Sequence, residues 1–476
     1  MSPGIAQPPR PDDQPLISVI IPVYNGAGTL ERCLEALFAS DCTRFECIVV
    51  DDSSTDQTAA VASRFPVRLI TLGGGPYGPA YGRNRAAEES LSPILFFLDA
   101  DVLLYPDVLS RTIETLADQP DVSAVFGSYD DSPDSPDFVS QFKNLEHHFV
   151  HQHGLTEGTT FWSGCGAIRR EPFLAVGGFD SQTYPRPSVE DIDLGYRLRD
   201  AGFRILLLKD LNCKHLKRWT LRTLARSDLL ERAVPWTLLI LRDRRLPNDL
   251  NLRSSQRLSL LFFSSGLLIL VGAWLAQTEV ALLPLIAVLA LVSVGSITEG
   301  WVPGIALSWR MELTAWIVLG AVAVIGTRQA GLVILAPLFL VLVAMFAARH
   351  LPHSSRSIAD AELKVAVLGL IATAGLVVAS FPLWLTIPLV GSLTLTAVLN
   401  YRFLAFLTRQ KGVIYALAAI PYQLLYYCCG AVGLAMGLAL HVSQVRRDRS
   451  ETLVSLASSL SHRTPTDTAT PLHRQI

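Results

Sequence analysis

The chain has 476 residues, 50% of them hydrophobic and 17% charged, with a formal net charge of −2 at pH 7. That length exceeds one ordinary domain, and the near-neutral balance provides no global basic field to point to nucleic acid as a partner. The averages hide a division: residues 258–442 hold only 13 of the charged side chains, so a soluble half and a membrane half are expected in one chain.

Residues 1–15 are Pro-rich, without the apolar core of a signal peptide, and read as a disordered tail. Leu16–Val23 is a continuous apolar run, the pattern of a strand buried on both faces, and Tyr24-Asn25-Gly26 is a turn. Leu30, Leu34, Leu37 and Phe38 have helical spacing within Thr29–Ser40. A second strand, Phe45–Val50, ends at Asp51-Asp52, and a short helix from Thr58 leads to a third strand, Val67–Leu72. Strand, helix, strand, helix, strand predicts a doubly wound α/β sheet. Acidic residues just past a strand can bind a nucleoside, and they can equally close an Asx-turn or cap a helix; both readings stand for Asp51, Asp52 and Asp56.

The loop Gly73–Ala80 precedes a helix, Tyr81–Ser90, that carries Arg83 and Arg85. A Gly-rich loop running into a helix N-terminus with arginines suits an anion, but no Gly-Lys-Ser/Thr closes it as a P-loop. Ile94–Leu98 is the next buried strand, ending in Asp99-Ala100-Asp101. Two carboxylates at i and i+2 emerge together at the sheet edge where α/β folds bind ligands. Oxygen ligands there suit Mg²⁺ or Mn²⁺ shared with a diphosphate, whereas a solvated acidic turn is the simpler alternative.

Beyond this lie a helix from Pro106 to Ala117, a strand from Val122 to Ser128, and an acidic loop. The Gly-rich stretch Phe161–Ile168 follows, then a helix opening at Glu190-Asp191-Ile192-Asp193 and a last strand, Phe203–Leu208. Acidic residues in a first helical turn are favourable whatever their function. Lys214–Arg257 carries 11 Lys/Arg against 4 Asp/Glu, interleaved with apolar residues, which predicts amphipathic helices on an anionic membrane leaflet. Candidate spans are Leu258–Leu275, Val280–Ile297, Leu313–Gly326, Gly331–Ala348, Leu363–Ala379, Phe381–Leu399 and Val413–Leu440, the last long and interrupted by Pro421. Basic loops at Arg242–Arg257, Arg349–Lys364 and Tyr401–Lys411 are expected inside the cell. The seven cysteines are odd in number and have no metal-like spacing, which fits buried thiols in a reducing compartment.

Six motifs in order resemble the family 2 glycosyltransferases: SVIIPVYNG (18–26), VVDDSSTDQT (49–58), GPAYGRNRAA (78–87), LFFLDADV (95–102), RREPFLAVGGFD (169–180) and SVEDIDLGYRLRDAGFRI (188–205). The resemblance implies a GT-A fold and a nucleotide-sugar donor, with Mg²⁺ or Mn²⁺ on Asp99 and Asp101. It also implies nucleoside contacts from Pro22, Tyr24 and Asp52 with Asp51 beside them, and a position near the donor for Arg83 or Asn84. Asp191, next to Glu190, matches the general base of inverting members. His215-Leu216-Lys217-Arg218-Trp219 resembles the Arg-Trp element with which membrane-bound relatives hold the diphosphate. Processive synthases have Gln where this chain has His215, so one or a few transfers are expected.

The resulting organisation is a tail (1–15), a GT-A catalytic domain (16–215), interfacial helices (216–257), a polytopic α-helical membrane domain (258–442) and a polar tail (443–476). The expected enzyme is a multi-pass protein of the inner or plasma membrane with its catalytic domain in the cytoplasm. It transfers sugar to a hydroxyl on a lipid-linked or saccharide acceptor, with membrane lipids as further partners. Two alternatives are transfer to a polyprenyl phosphate, and a transporter with a nucleotide-sensing domain.

Overall fold

The computed structural model describes residues 14–276, 391–392 and 394–461. Eight strands form one mixed sheet in the order β3-β2-β1-β4-β7-β6-β8-β5. The first four are β1 (Ile17–Val23), β2 (Phe45–Asp51), β3 (Arg68–Thr71) and β4 (Ile94–Leu98), all parallel. Their crossovers are α1 (Ala27–Phe38), α2 (Thr58–Ala62) and α3 (Pro79–Glu89).

The apolar runs exist because both faces of this half-sheet are covered. Val19, Ile21 and Val23 of β1 pack with Leu30, Leu34 and Leu37 of α1. Ile20 faces the other way and packs with Phe97 and with Ala80, Ala86 and Ala87 of α3. Alternate residues thus feed two cores, so no position can be polar without a partner.

The second half departs from the doubly wound pattern. It comprises β5 (Val102–Leu104), α4 (Val108–Asp118), β6 (Val122–Tyr129), α5 (Phe138–His153), β7 (Cys165–Arg169), α6 (Arg170–Ala175), α7 (Glu190–Asp200) and β8 (Arg204–His215). β7 runs antiparallel between β4 and β6, while β6 and β8 are parallel. Helix α5 occupies the segment after the acidic loop, where the pattern gave no helix. Its N-cap Asp137 accepts the Ser140 N–H at 2.9 Å. The pattern hid it because polar Gln141, Lys143, Asn144, Glu146 and His147 are buried along with Val139, Phe142 and Leu145. Within the Gly-rich stretch Phe161–Ile168, strand β7 begins only at Cys165. Residues 161–164 form a loop, and its Gly164 carbonyl accepts the Asp99 N–H at 3.1 Å.

After the sheet, α8 (Leu221–Arg226), a π-helical turn (Ser227–Ala233) and α9 (Val234–Asp243) form one continuous run. Then come α10 (Ser254–Ala276), α11 (Tyr401–Lys411) and α12 (Val413–Ser461). Helix α12 packs along the π turn and α9. A Cβ on Gly433 would lie 2.4 Å from the Ala233 Cβ, so only glycine permits this approach. Pro421 does not break α12, which forms no hairpin and continues to Ser461 through the segment read as a polar tail.

Among the described residues, one helix segment, Val413–Val445, is long and apolar enough to cross a membrane. α10 covers the expected span Leu258–Leu275. Four further expected spans, Val280–Ile297, Leu313–Gly326, Gly331–Ala348 and Leu363–Ala379, lie outside the described residues, as does most of Phe381–Leu399. The described cysteines are free, and Cys33, Cys47, Cys165, Cys213 and Cys429 are buried.

A third core joins the sheet domain to the C-terminal helices: Val139, Phe142 and Leu145 of α5 meet Trp219, Phe403, Leu407 and Tyr422. Beside it Lys143 is buried, with Nζ 2.7 Å from both Glu146 and Asp228. Burial opposes the lysine charge, but the two carboxylates outweigh it and hold the pKa above its ordinary value. Lys143→Met is expected to cost about 3–5 kcal/mol, because it strands two buried carboxyls. Chemical denaturation of the purified chain, followed by circular dichroism, measures this; an unchanged midpoint contradicts it.

Candidate active site

A cleft of about 1690 Å³ opens where β1, β2 and β4 end. Pro22, Tyr24, Asp52, Arg83, Asp99, Asp101, Glu190, Asp191, Arg218 and Trp219 all line it. Asp51 and Asn84 do not. Asp51 accepts the Ser54 N–H at 2.9 Å, closing the turn after β2. Asn84 bonds in both directions to the Phe179 backbone, at 2.7 and 2.9 Å.

Asp52 organises the Gly-rich loop. Its carboxylate accepts the backbone N–H groups of Tyr77 at 2.9 Å and Gly78 at 2.7 Å. Gly78 sits at φ +90°, where a Cβ would fall 2.5 Å from the Pro185 carbonyl oxygen, so glycine is required. The loop is thereby clamped over the end of β2, with Pro76, Gly78 and Pro79 on the cleft wall.

Arg83 is 4% exposed and lies between two carboxylates, donating to Asp99 at 2.7 Å and to Glu190 at 3.0 Å. Its guanidinium lies 5.3 Å from the Phe179 ring centroid. Burial opposes the charge, and Asp99, Glu190 and Asp191 overcome it. Burial also pushes the Asp99 carboxyl above its ordinary range, with Arg83 pulling it back. Asp101 is different: burial acts upward, but His215 and Lys217 outweigh it and hold this carboxyl below the usual range. The His215 Nε2 is 3.5 Å from Asp101, and Nδ1 is 2.7 Å from Asn144 Oδ1 on α5.

Among the described residues, Arg83 engages one Asp99 oxygen and His215 one Asp101 oxygen. The second Asp99 oxygen has no hydrogen-bond partner among those residues, and both side chains are about one-third exposed at the cleft (35% and 30%). Among the described residues no cluster of three or more His, Cys, Asp or Glu could hold a metal. Two carboxylates therefore fit a hard cation that takes its remaining ligands from a diphosphate and water.

Asp191 faces the same cleft. It is not the cap of α7: the N-cap position is Val189, with no side-chain cap bond. Its carboxylate accepts the Ser163 N–H at 3.3 Å. Burial, then the neighbouring Glu190, push its pKa up to about 7. Glu190 is committed elsewhere, accepting from Arg83 and from the Ser188 N–H at 2.8 Å.

Sequence reasoning missed the wall formed by Tyr129, His147, His151 and Trp162. The Tyr129 ring stacks on His215 at 4.3 Å and meets Trp162 edge-on at 4.7 Å. The available signal was His147 and His151 at i, i+4, one face of a helix. Trp219 is 2% exposed, and Lys217 Nζ sits 4.2 Å from its ring centroid. Arg218 is exposed, 3.6 Å from Asp137.

The α/β domain is GT-A-like, with paired carboxylates at its sheet edge and a third carboxylate across the cleft. Residues 18–177 match the model of Glycosyl transferase family 2, and similarity to glycosyltransferases supports that reading of this part of the chain. An uncharacterized Mycobacterium tuberculosis protein is 26% identical over 57% of this chain and 86% of its own length. A validoxylamine A glucosyltransferase from Streptomyces hygroscopicus is 29% identical over 41% of this chain; the match spans about half (54%) of that relative. A mannosyltransferase from Pyrobaculum calidifontis, solved with GDP-Man and Mn²⁺, is 19% identical, covers 90% of this chain and 89% of its own, and has a TM-score of 0.40.

Proposed function

We propose that the chain moves a sugar from a nucleotide-diphosphate-sugar donor to an acceptor hydroxyl by single, inverting displacement at a membrane. The observation that carries this reading is that Asp99, Asp101 and Asp191 line one cleft at the carboxyl ends of β1, β2 and β4. Pro22, Tyr24 and Asp52 take the nucleoside, with Asp51 and Asn84 supporting the loops behind it. Asp99 and Asp101 would hold Mg²⁺ or Mn²⁺, which would supply positive charge against the leaving diphosphate. Arg83 holds Asp99 and Glu190 in place, and Arg218 adds positive charge at the exposed side of the cleft. Asp191 takes the proton from the acceptor hydroxyl. Its raised pKa supports that role, since a base works best when poised near the ambient pH.

The proposed organisation keeps a catalytic domain at 16–215, facing the cytoplasm, and a membrane domain over 258–442. The apolar Val413–Val445 helix supports attachment, as does the basic run before α10. The test is a donor screen on the full chain in nanodiscs with Mg²⁺ or Mn²⁺, reading nucleoside diphosphate release. Release that requires both a donor and an added acceptor is expected; no release from any nucleotide sugar overturns the reading.

A further inference from the structure

The Val413–Val445 segment of α12 is long and apolar enough for a membrane span, but its contacts run the wrong way for one. Just before it, Gln410 Nε2 donates to Asp131, on the loop after β6, at 2.9 Å. The Tyr415 ring then lies 4.6 Å from Phe138, and Tyr422 lies 5.6 Å from Phe142, both on α5. Tyr426 faces the Lys143 Nζ at 5.6 Å, and the Cys429 thiol donates to the Ala225 carbonyl of α8 at 3.8 Å. Gly433 abuts Ala233, and a Cβ on Gly437 would lie 2.6 Å from the Thr237 side chain. His441, Gln444 and Val445 line the catalytic cleft itself.

These positions recur at three-, four- and seven-residue spacing, so they form one stripe along the helix. From Tyr415 to Gly437 the stripe runs about 33 Å, at about 1.5 Å per residue. It presses against elements that bury Lys143, Glu146 and Asp228. The hydrocarbon core of a bilayer is about 30 Å thick. A crossing α12 would drag these charges into it, at a high cost. Both ends of the segment also touch the catalytic domain, which places them on one side of the membrane.

The flanking charges agree. Arg402, Arg409 and Lys411 precede the segment, Arg446, Arg447 and Arg449 follow it, and Val413–Val445 itself holds no Asp, Glu, Lys or Arg. Basic flanks favour the cytoplasmic side, and a single crossing cannot put both of them there. The face turned away from the stripe is apolar: Leu434, Leu438 and Val442, four residues apart, are exposed, whereas Gly433 and Gly437 are packed. On α10, which meets α12 through the Phe263 and Tyr427 rings at 5.9 Å, Leu258, Leu261 and Leu268 are exposed as well. A helix with one protein-bound stripe, an apolar outer face and basic ends fits the surface of a bilayer.

We infer that α12 does not cross the membrane but lies in the plane of its cytoplasmic leaflet. Leu434, Leu438 and Val442 enter the boundary between headgroups and acyl chains, and the opposite stripe holds the catalytic domain. This deepens the membrane attachment proposed above and is independent of sugar transfer. It also sets the cleft mouth, at His441 and Gln444, on the lipid surface.

The test uses the full chain in sealed phospholipid vesicles. Leu434→Cys, Leu438→Cys and Val442→Cys each carry an environment-sensitive fluorophore, and the wild type labelled in parallel supplies the background from native thiols. Quenching by lipids brominated near the headgroup, in mid-chain and at the chain end reads the depth. All three positions are expected at one shallow depth, about 5–10 Å below the headgroups. In a crossing helix Leu434 and Val442 would differ in depth by about 12 Å. The side is read separately, with an impermeant thiol reagent on Lys411→Cys, Ser443→Cys and a catalytic-domain reference, the exposed Ser63→Cys. Lys411→Cys and Ser443→Cys are expected to label from the side that labels Ser63→Cys.

A depth gradient of about 12 Å overturns the inference, as does labelling of Ser443→Cys only from the side opposite to Ser63→Cys. No quenching at any of the three positions means that protein covers this face, and overturns the lipid partner. If a fluorophore variant loses the wild-type melting transition, the labelling of Lys411→Cys and Ser443→Cys decides. A wild-type chain that does not associate with vesicles at all overturns the membrane attachment together with the inference, whereas a depth gradient overturns the inference alone.

Discussion

Asp191→Asn is expected to lower kcat about 10²–10⁴-fold, the usual contribution of a positioned base, with donor affinity unchanged. An amide has the shape of the carboxylate and can still accept the Ser163 N–H, but it does not take a proton. The same residue sets a pH dependence. Because burial and Glu190 raise its pKa to about 7, the active, ionised form declines below that pH. Wild-type kcat/KM is therefore expected to fall about tenfold per pH unit on the acid side of 7, and this limb should vanish in the variant's residual activity.

The stability sign is opposite to that of an ordinary ion pair. The folded pKa lies above the unfolded value of about 3.9, so the stability tied to this carboxyl is present at low pH and is lost as pH rises towards 7. Asp191→Asn removes that cost at pH 8, and its melting temperature should be no lower than wild type. Near-normal turnover in the variant would remove Asp191 from the chemistry. Paired measurements of kcat, donor affinity and melting separate these outcomes.

Asp101→Asn is expected to reduce transfer by roughly a thousandfold or more, since metal stabilisation of a leaving group is worth several kcal/mol. The shape is kept, and so is the backbone bond from the Leu216 N–H to the Asp101 carbonyl, at 2.8 Å. What is lost is the charge that His215 and Lys217 hold ionised. The variant should fold, and its residual activity should respond weakly to Mn²⁺. Nucleoside diphosphate release measured across a Mn²⁺ titration, with a chelator arm, reads both. Wild-type rates for Asp101→Asn in the chelator would rule out a metal at this pair.

Local pattern was enough for much of this protein. The apolar runs of β1, β2 and β4 were legible because a strand buried on both faces tolerates no polar residue. The acidic ends of β2 and β4 followed from where such strands stop. The composition break near residue 258 was likewise visible, because span-length apolar stretches are conspicuous in sequence.

Partnership was not legible. Helix α5 was invisible because its buried face is polar: Lys143 pairs with Glu146 on the same helix and with Asp228 of the π turn, and His147 Nε2 accepts from Arg232 of that turn. The helix-start pattern at Glu190-Asp191 allowed a cap or a base; only the packing of Ser163 and Arg83 against it gave the two carboxylates different environments. Asp51 and Asp52 are adjacent, yet one closes a turn and the other clamps the Gly-rich loop at the cleft. Sequence determined the residue types and the edges where they emerge, since those depend on neighbours along the chain. Tertiary structure decided which carboxyl is held below its ordinary range, which is pushed above it and which is spent on an arginine, because electrostatic environment is set by groups far apart in sequence.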